Sequence, residues 1–412
     1  MTSKKYACKC KHVLQRSVIL VKIEGSCKQS SRALVWSLRN LQNFVYNSCL
    51  YEFEDIIHDV DEADVLSPVE YSPTGTFLKR VVENTTRYTK VSALANVNPY
   101  GSGIDLAYDY EIYFVTLDFP WSIASINLLK NWRKRCRIAV CYIVEIWNSD
   151  LEQLAHFKKF FSKFDLVCVG TYHVLEDVEK IMDAPCMFVL PGIDTLKFCP
   201  DFDKDRSLDI VSIGRRSPVT HKALVERSEN ESFFYYHELT NGSVLRIDNH
   251  QQHRTLTSNV LKSSRYFLTN YAKADLPDQI LGEYEIGYRF FEGAAAGNVL
   301  IGAQPHGHLY ERFFDWDDSI IPVNFDEPNI NAIIDELDAQ PERIERIGRN
   351  NVANSLLKHD WVYRWEQILN KLGVAATPAL QARKSHLKQL AADIQPQEHV
   401  EEAVPVAASR VG

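Results

Sequence analysis

The chain predicts an α/β fold with two parallel-sheet domains in tandem. Three observations point there. Short apolar runs alternate with amphipathic helical segments from about Tyr110 onward, the alternation stops at the charged bridge Pro200-Asp-Phe-Asp-Lys-Asp-Arg206, and a second alternating series opens at Leu208. Strands joined through helices by short connections pair in parallel, with helices over both faces of the sheet. A chain of 412 residues also exceeds what one core usually serves. The expected boundaries are 1–200 for the first domain, 207–372 for the second and 374–412 for a flexible, disordered tail.

Taken in order, Ser17 to Ile23 reads as a first strand. Gly25 and Ser26, followed by Ser30, Ser31 and the periodic Ala33, Leu34, Leu38 and Leu41, read as a loop leading into a helix. Ala63 to Pro68 is strand-like, and Asn96-Val-Asn-Pro-Tyr-Gly-Ser-Gly103 is a turn-rich break. Tyr110 to Leu117, Arg137 to Val144, Leu166 to Gly170 and Met187 to Leu190 read as strands. Pro120 to Trp132, Leu151 to Phe161 and Val174 to Met182 read as the helices between them. In the second series the strands are Leu208 to Ile213, Phe233 to His237, Tyr266 to Asn270, Val299 to Gly302 and Ser319 to Val323. The segment Arg289-Phe-Phe-Glu292-Gly-Ala-Ala-Ala-Gly297 is a short helix whose final glycine suits a left-handed stop. Pro341 stands where a first-turn proline belongs, with Glu342 and Glu345 near the positive end of the helix dipole. Trp361, Trp365, Ile368 and Leu372 share one helical face. After Gly373 no aromatic residue occurs and prolines recur, so the tail is expected to hold at most a transient helix from Leu380 to Asp393.

Composition narrows the function. A net charge of -8 argues against a nucleic-acid partner, because phosphate neutralisation needs clustered Lys and Arg. The basic cluster Lys4, Lys5, Lys9, Lys11 would give only weak peripheral membrane contact, at about 1 kcal/mol per lysine. It lacks the apolar core of a secretory signal, and no apolar run is long enough to span a bilayer. Nine cysteines, an odd number without framework spacing, fit reduced thiols and a cytoplasmic location. Cys8-Lys-Cys10 lacks the second pair of ligands that a metal site needs.

Glu292 in its helix, Leu190-Pro-Gly-Ile-Asp194 with Phe198 and Pro200 behind it, and Ile213-Gly-Arg-Arg216 resemble three signatures of GT-B glycosyltransferases. The segment His359-Asp-Trp-Val-Tyr-Arg-Trp-Glu366 resembles the end of the group-1-type, spore-maturation-like branch. The likeness runs from about residue 160 to 372 and is weaker from 104 to 160. It implies two Rossmann-like domains around a ligand cleft, with a final helix crossing back to the first domain. It also implies a nucleoside diphosphate sugar as substrate rather than cofactor, no metal, and a carbohydrate, lipid-linked or small-molecule acceptor.

Such an enzyme must hold a diphosphate, which wants cations and backbone N–H groups at a helix N-terminus. The resemblance places Arg215 and Lys222 on the diphosphate, Glu292 on the ribose hydroxyls and the backbone of Gly287 beside the donor. Two arginines after a strand also suit a solvated loop, a reading that Glu292 and the Pro-Gly-Ile-Asp turn in their expected places weaken. Arg289 is a donor ligand or a structural partner of Glu285 and Glu292, from which it is four and three residues away. The family carries a further glutamate eight residues before Glu292; Tyr284 stands there, flanked by Glu283 and Glu285, and Glu285 is kept as a catalytic candidate. His306 and His308, after the strand ending at Gly302, are weaker candidates for phosphate contact. Asp118 and Glu145 follow predicted strands of the first domain, where each suits a general base or a helix cap. Two alternatives stay open: an epimerase-like GT-B enzyme, which binds the donor but needs no acceptor, and a non-catalytic sugar-nucleotide-binding protein, which the displaced Glu283 and Glu285 keep in play. A nicotinamide dehydrogenase is disfavoured, since no Gly-x-Gly-x-x-Gly follows a strand.

Overall fold

The computed structural model describes residues 21–25, 27–28, 30–71, 103–238, 245–280 and 282–394, with isolated positions between 77 and 98. The basic cluster, the Cys8 and Cys10 pair and most of the break before Gly103 lie outside the described residues.

The first sheet contains β1 (Val21–Glu24), β2 (Ala33–Trp36), β3 (Asp64–Tyr71), β4 (Tyr110–Leu117), β5 (Cys136–Ile143), β6 (Leu166–Val169) and β7 (Cys186–Phe188). Their order is β1-β3-β2-β4-β5-β6-β7, with β1 antiparallel to β3 and the remaining pairs parallel. The second sheet holds β8 (Leu208–Ser212), β9 (Tyr235–His237), β10 (Ser264–Leu268), β11 (Val299–Gly302) and β12 (Ile321–Pro322), all parallel in the order β12-β11-β10-β8-β9. Among the parallel strands of each sheet the order reverses once, between β2 and β4 and between β8 and β10. The loops leaving the carboxyl ends of such neighbours diverge and open a crevice.

The helices that position these crevices are α1 (Ser48–Asp61), α2 (Leu175–Met182), α3 (Pro218–Asn230), α4 (His250–Lys262), α5 (Tyr288–Ala295), α6 (Pro341–Lys358), α7 (Trp361–Lys371) and α8 (Pro378–Ile394). The helix expected from Ala33 is instead β2, and the first long helix starts at Ser48. The four residues of β2 are fully buried, and a strand buried on both faces shows an unbroken apolar run rather than alternation. Pro120 to Leu128 forms a 3-10 run rather than an α-helix.

Helix α7 crosses back onto the first domain. Trp361 stacks on Phe53 of α1 with ring centroids 4.5 Å apart, and the Trp365 indole donates to Asp61 at 2.7 Å. The flexible tail expected from 374 is corrected over Pro378–Ile394. There α8 docks, with Leu380, Leu387 and Ala391 buried beside residues of α1, α6 and α7. Arg383 holds it in place, donating to Asp194 at 2.7 Å and to Asp360 at 2.8 Å. The stripe is aliphatic and helically spaced, so the lack of aromatic residues did not prevent packing. No described helix is long and apolar enough to cross a membrane.

Candidate active site

The crevice of the second sheet is built from three backbone features. After β8 the chain turns at Gly214, whose φ of 89° suits glycine. Three residues later the Ser217 hydroxyl caps α3 by accepting from the Thr220 N–H at 3.1 Å, with Pro218 in the first turn. Gly287 caps α5 across the crevice. Between them lies a cleft of about 230 Å³ whose lining includes Gly214, Arg215, Asn270, Lys273, Gly287 and Arg289. Three cations therefore converge where helix N-termini and backbone N–H groups already favour an anion.

Arg215 is half exposed and 3.2 Å from Asp275. Arg216 turns away, donating to the Glu238 carbonyl at 2.7 Å. Lys273 stands in the loop after β10 with φ 58°, a left-handed conformation that costs a non-glycine residue about 1–2 kcal/mol. Its ammonium lies 4.0 Å from the ring centroid of Trp147 and 3.5 Å from Glu145, both in the first domain. Lys222 does not share this cleft. It is 78% exposed on α3 and faces Glu226 one turn on, at 3.7 Å. His306 also lies apart, in a neighbouring groove of about 590 Å³ against Tyr284.

Glu292 is fully buried and does not face the cleft. One carboxylate oxygen accepts from Arg254 at 2.5 Å and the other from Arg289 at 2.5 Å. Burial pushes its pKa up, but Arg289 and Arg254 overcome that and hold it near about 2. Arg254 also donates to Glu52 of α1 at 2.9 Å, so the cluster joins the two domains. Both oxygens of Glu292, the residue expected at the ribose, are engaged by guanidiniums, and Arg289 is the member of the pair that lines the cleft. Glu285, expected as a second partner of Arg289, takes His173 instead.

His173 follows β6 and sits between two carboxylates of the second domain. Its Nδ1 is 2.5 Å from Glu285 and its Nε2 is 2.5 Å from Glu283. Glu285 also accepts from the Tyr172 backbone N–H at 2.8 Å. Burial and the neighbouring Glu285 raise the pKa of Glu283 against the opposing pull of His173 and Lys273. The Glu285 carbonyl accepts from the Ala272 N–H at 3.0 Å, which ties this triad to the loop carrying Lys273.

On the first-domain side, Asp118 and Glu145 both come to the interdomain region. Asp118 accepts from the Phe119 N–H at 2.8 Å and from the Ser122 hydroxyl at 2.7 Å, holding the turn after β4. It lines a cleft of about 530 Å³ with Tyr46, Trp121, Trp147 and Lys273. Glu145 accepts from the Trp147 indole and pairs with Lys273. Lys273 is thus common to the two cavities.

Sequence reasoning did not single out Lys273, His173 or Arg254. Lys273 and His173 each follow a predicted strand end by three residues, the same signal that selected Asp118. Arg254 lies mid-helix and carries no such mark.

Residues 245–370, from just before α4 to near the end of α7, match the family model described as glycosyl transferase-like. No curated protein matches the chain. Among solved structures, an alpha-glucosyltransferase in complex with UDP and a 13-mer DNA containing a central A:G mismatch aligns with a TM-score of 0.52 at 11% identity, over 84% of this chain and 100% of that one. An alpha-glucosyltransferase (AGT) in complex with UDP aligns with a TM-score of 0.50 at 12% identity, over 84% and 100%. The two Rossmann-like sheets and the returning helix are the GT-B fold. The exclusion of nucleic acid drawn from net charge is corrected here. A glucosyltransferase of the same fold is solved with DNA, so a chain's total charge does not decide the partners this fold accepts.

Proposed function

We propose that the protein is a metal-independent glycosyltransferase that moves a hexosyl group from a nucleoside diphosphate sugar to an acceptor hydroxyl. The carrying observation is the convergence of Arg215, Lys273 and Arg289 on one cleft at the switch point of the second sheet. The glycosyl transferase-like match over 245–370, which includes Lys273 and Arg289, and the resemblance of the closing segment to the spore-maturation-like branch support the same reading.

In this reading the three cations hold the diphosphate. As the bond between the anomeric carbon and the diphosphate oxygen breaks, negative charge grows on that oxygen and the cations act most strongly there. They supply the charge compensation for which other transferases use a divalent ion. The acceptor oxygen forms the new bond to the anomeric carbon and gives up its proton, for which Asp118 and Glu145 are the carboxylates on the acceptor side. The free thiols of Cys49, Cys141 and Cys168, buried in the core, suit a reducing, cytoplasmic setting.

The test is a thermal-shift panel of UDP, GDP, ADP, dTDP and NAD on the wild type and on Arg289→Ala. One nucleoside diphosphate should stabilise the wild type by several degrees and lose most of that effect in the variant. Donor turnover that requires an acceptor separates a transferase from an epimerase-like enzyme and from a binding protein. Stabilisation by NAD alone, or by none of the five, would refute the reading. Activity abolished by EDTA and restored by a divalent ion would refute metal independence.

A further inference from the structure

We propose that the face beside Asp118 is a stacking subsite for a neutral sugar ring of the acceptor, with Tyr46 and Trp121 as its platforms. This rests on the transferase reading and names the acceptor class for that site.

Two parallel-stacked aromatic pairs flank one carboxylate. Phe44 and Tyr46 have ring centroids 5.3 Å apart at 14°, and Phe119 and Trp121 have centroids 5.0 Å apart at 9°. All four rings and Asp118 line the same cleft of about 530 Å³, within the usual range for small-molecule sites. The first pair is held rigidly. Phe44 bridges to Arg246 of the second domain, the Val45 N–H donates to the Leu245 carbonyl at 2.9 Å, and the Arg246 guanidinium lies 5.0 Å from the Phe44 ring centroid. Tyr46 is nonetheless 48% exposed, so a large ring is pinned with much of its surface in water. The second pair follows β4 directly and is anchored through Asp118, which accepts from the Phe119 N–H.

Flat apolar rings next to hydrogen-bonding groups match a pyranose, which has an apolar C–H face and a rim of hydroxyls. Its face packs on an aromatic ring while its hydroxyls bond carboxylates and phenols. Asp118 supplies an acceptor. Burial, with the charges of Asp118 and Glu145, pushes the Tyr46 phenol up to about 12, so it stays protonated and can donate. The polar side chains of the lining are the carboxylates Asp118 and Asp150 with the amides of Gln42 and Gln279 and the hydroxyls of Ser122 and Ser149, and its one lysine, Lys273, is already paired with Glu145; this favours a neutral ring over a phosphate-bearing strand. Because Lys273 lines both cavities, a ring on this platform would present its hydroxyls toward the donor cleft.

The full chain and its Tyr46→Ala and Trp121→Ala variants would be applied to an array of neutral oligosaccharides, with single-stranded and duplex DNA as competing probes. Wild-type protein should bind a subset of the oligosaccharides. Each variant should bind them about tenfold more weakly, the equivalent of about 1.4 kcal/mol of ring contact. Nucleoside diphosphate stabilisation should be unchanged in both variants. Tyr46→Phe, which keeps the ring, should retain most binding. No oligosaccharide binding by the wild type, undiminished binding by both alanine variants, or DNA binding that is lost on the same substitutions would each overturn the proposal. Failure of the nucleotide panel with array binding intact would instead count against the transferase reading alone.

Discussion

Replacing Arg254 with methionine tests the buried charge cluster that joins the domains. Methionine keeps much of the side-chain volume against Phe198, over which the guanidinium lies at 4.7 Å, but removes the cation shared by Glu52 and Glu292. Each carboxylate keeps one weaker or more exposed cation, Lys197 at 3.5 Å for Glu52 and Arg289 for Glu292, and Glu52 also keeps the Asp194 backbone N–H at 2.8 Å. Removing one partner of a buried pair costs about 3–5 kcal/mol, and the lower end applies because neither carboxylate is left alone. A loss of about 3 kcal/mol lowers the melting temperature by roughly 6–12 °C in a domain of this size. The cost should depend on pH. In the wild type the folded Glu292 pKa of about 2 lies below its ordinary 4.5, so its stabilisation is complete above that ordinary value and is lost as pH falls toward 2. That gap corresponds to about 3 kcal/mol, in line with the pair estimate. Without Arg254 the desolvation of Glu292 is opposed less, its folded pKa rises, and the difference between variant and wild type must widen as pH climbs from 4 to 7. Calorimetric melts at three pH values in that window measure it. A deficit under 2 °C, or one that does not change with pH, would show that the cluster does not carry the stability assigned to it.

Arg215→Ala should weaken the affinity for the stabilising nucleoside diphosphate about tenfold, while Lys222→Ala should leave it within twofold, since only the former lines the cleft; calorimetric titration separates the two. Lys273→Gly should also weaken nucleotide binding yet melt above the temperature of Lys273→Ala, because glycine relieves the left-handed strain that alanine retains. Equal melting temperatures would mean that the backbone at 273 is not strained. Arg383→Ala should cost about 2–3 kcal/mol, since fully buried Asp360 loses its cation, and thermal melts should fall by several degrees. A tail that contributed nothing would leave the melt unchanged.

Local signals in the chain carried much of the fold. β4, β5, β6, β8 and β11 are short apolar runs bounded by turn residues, and a parallel strand buried on both faces has that appearance whatever surrounds it. The same signal failed at β2, where Ala33, Leu34 and Leu38 also satisfy a helical spacing and only pairing with β3 and β4 decides the outcome. It failed again at α8, whose aliphatic stripe is weak by composition and is ordered through Arg383 and two distant aspartates.

The candidate site divides along the same line. Arg215, Asp118 and Glu145 were legible because each follows a strand end, where the topology of any open α/β sheet brings loops to a crevice. The choice among partners was not legible, because it is made across the domain interface. Glu292 meets Arg254 through a cation that also reaches back 202 residues to Glu52, and Glu285 meets His173 across 112 residues. A carboxylate matched to a ribose-binding position was therefore found engaged by two guanidiniums. Arg289, one of those two, has its remaining surface on the cleft, so an anion bound there would draw on the same guanidinium that neutralises Glu292. The buried cluster and the cleft share a charge, and a change at Glu292 would alter what Arg289 can offer a phosphate.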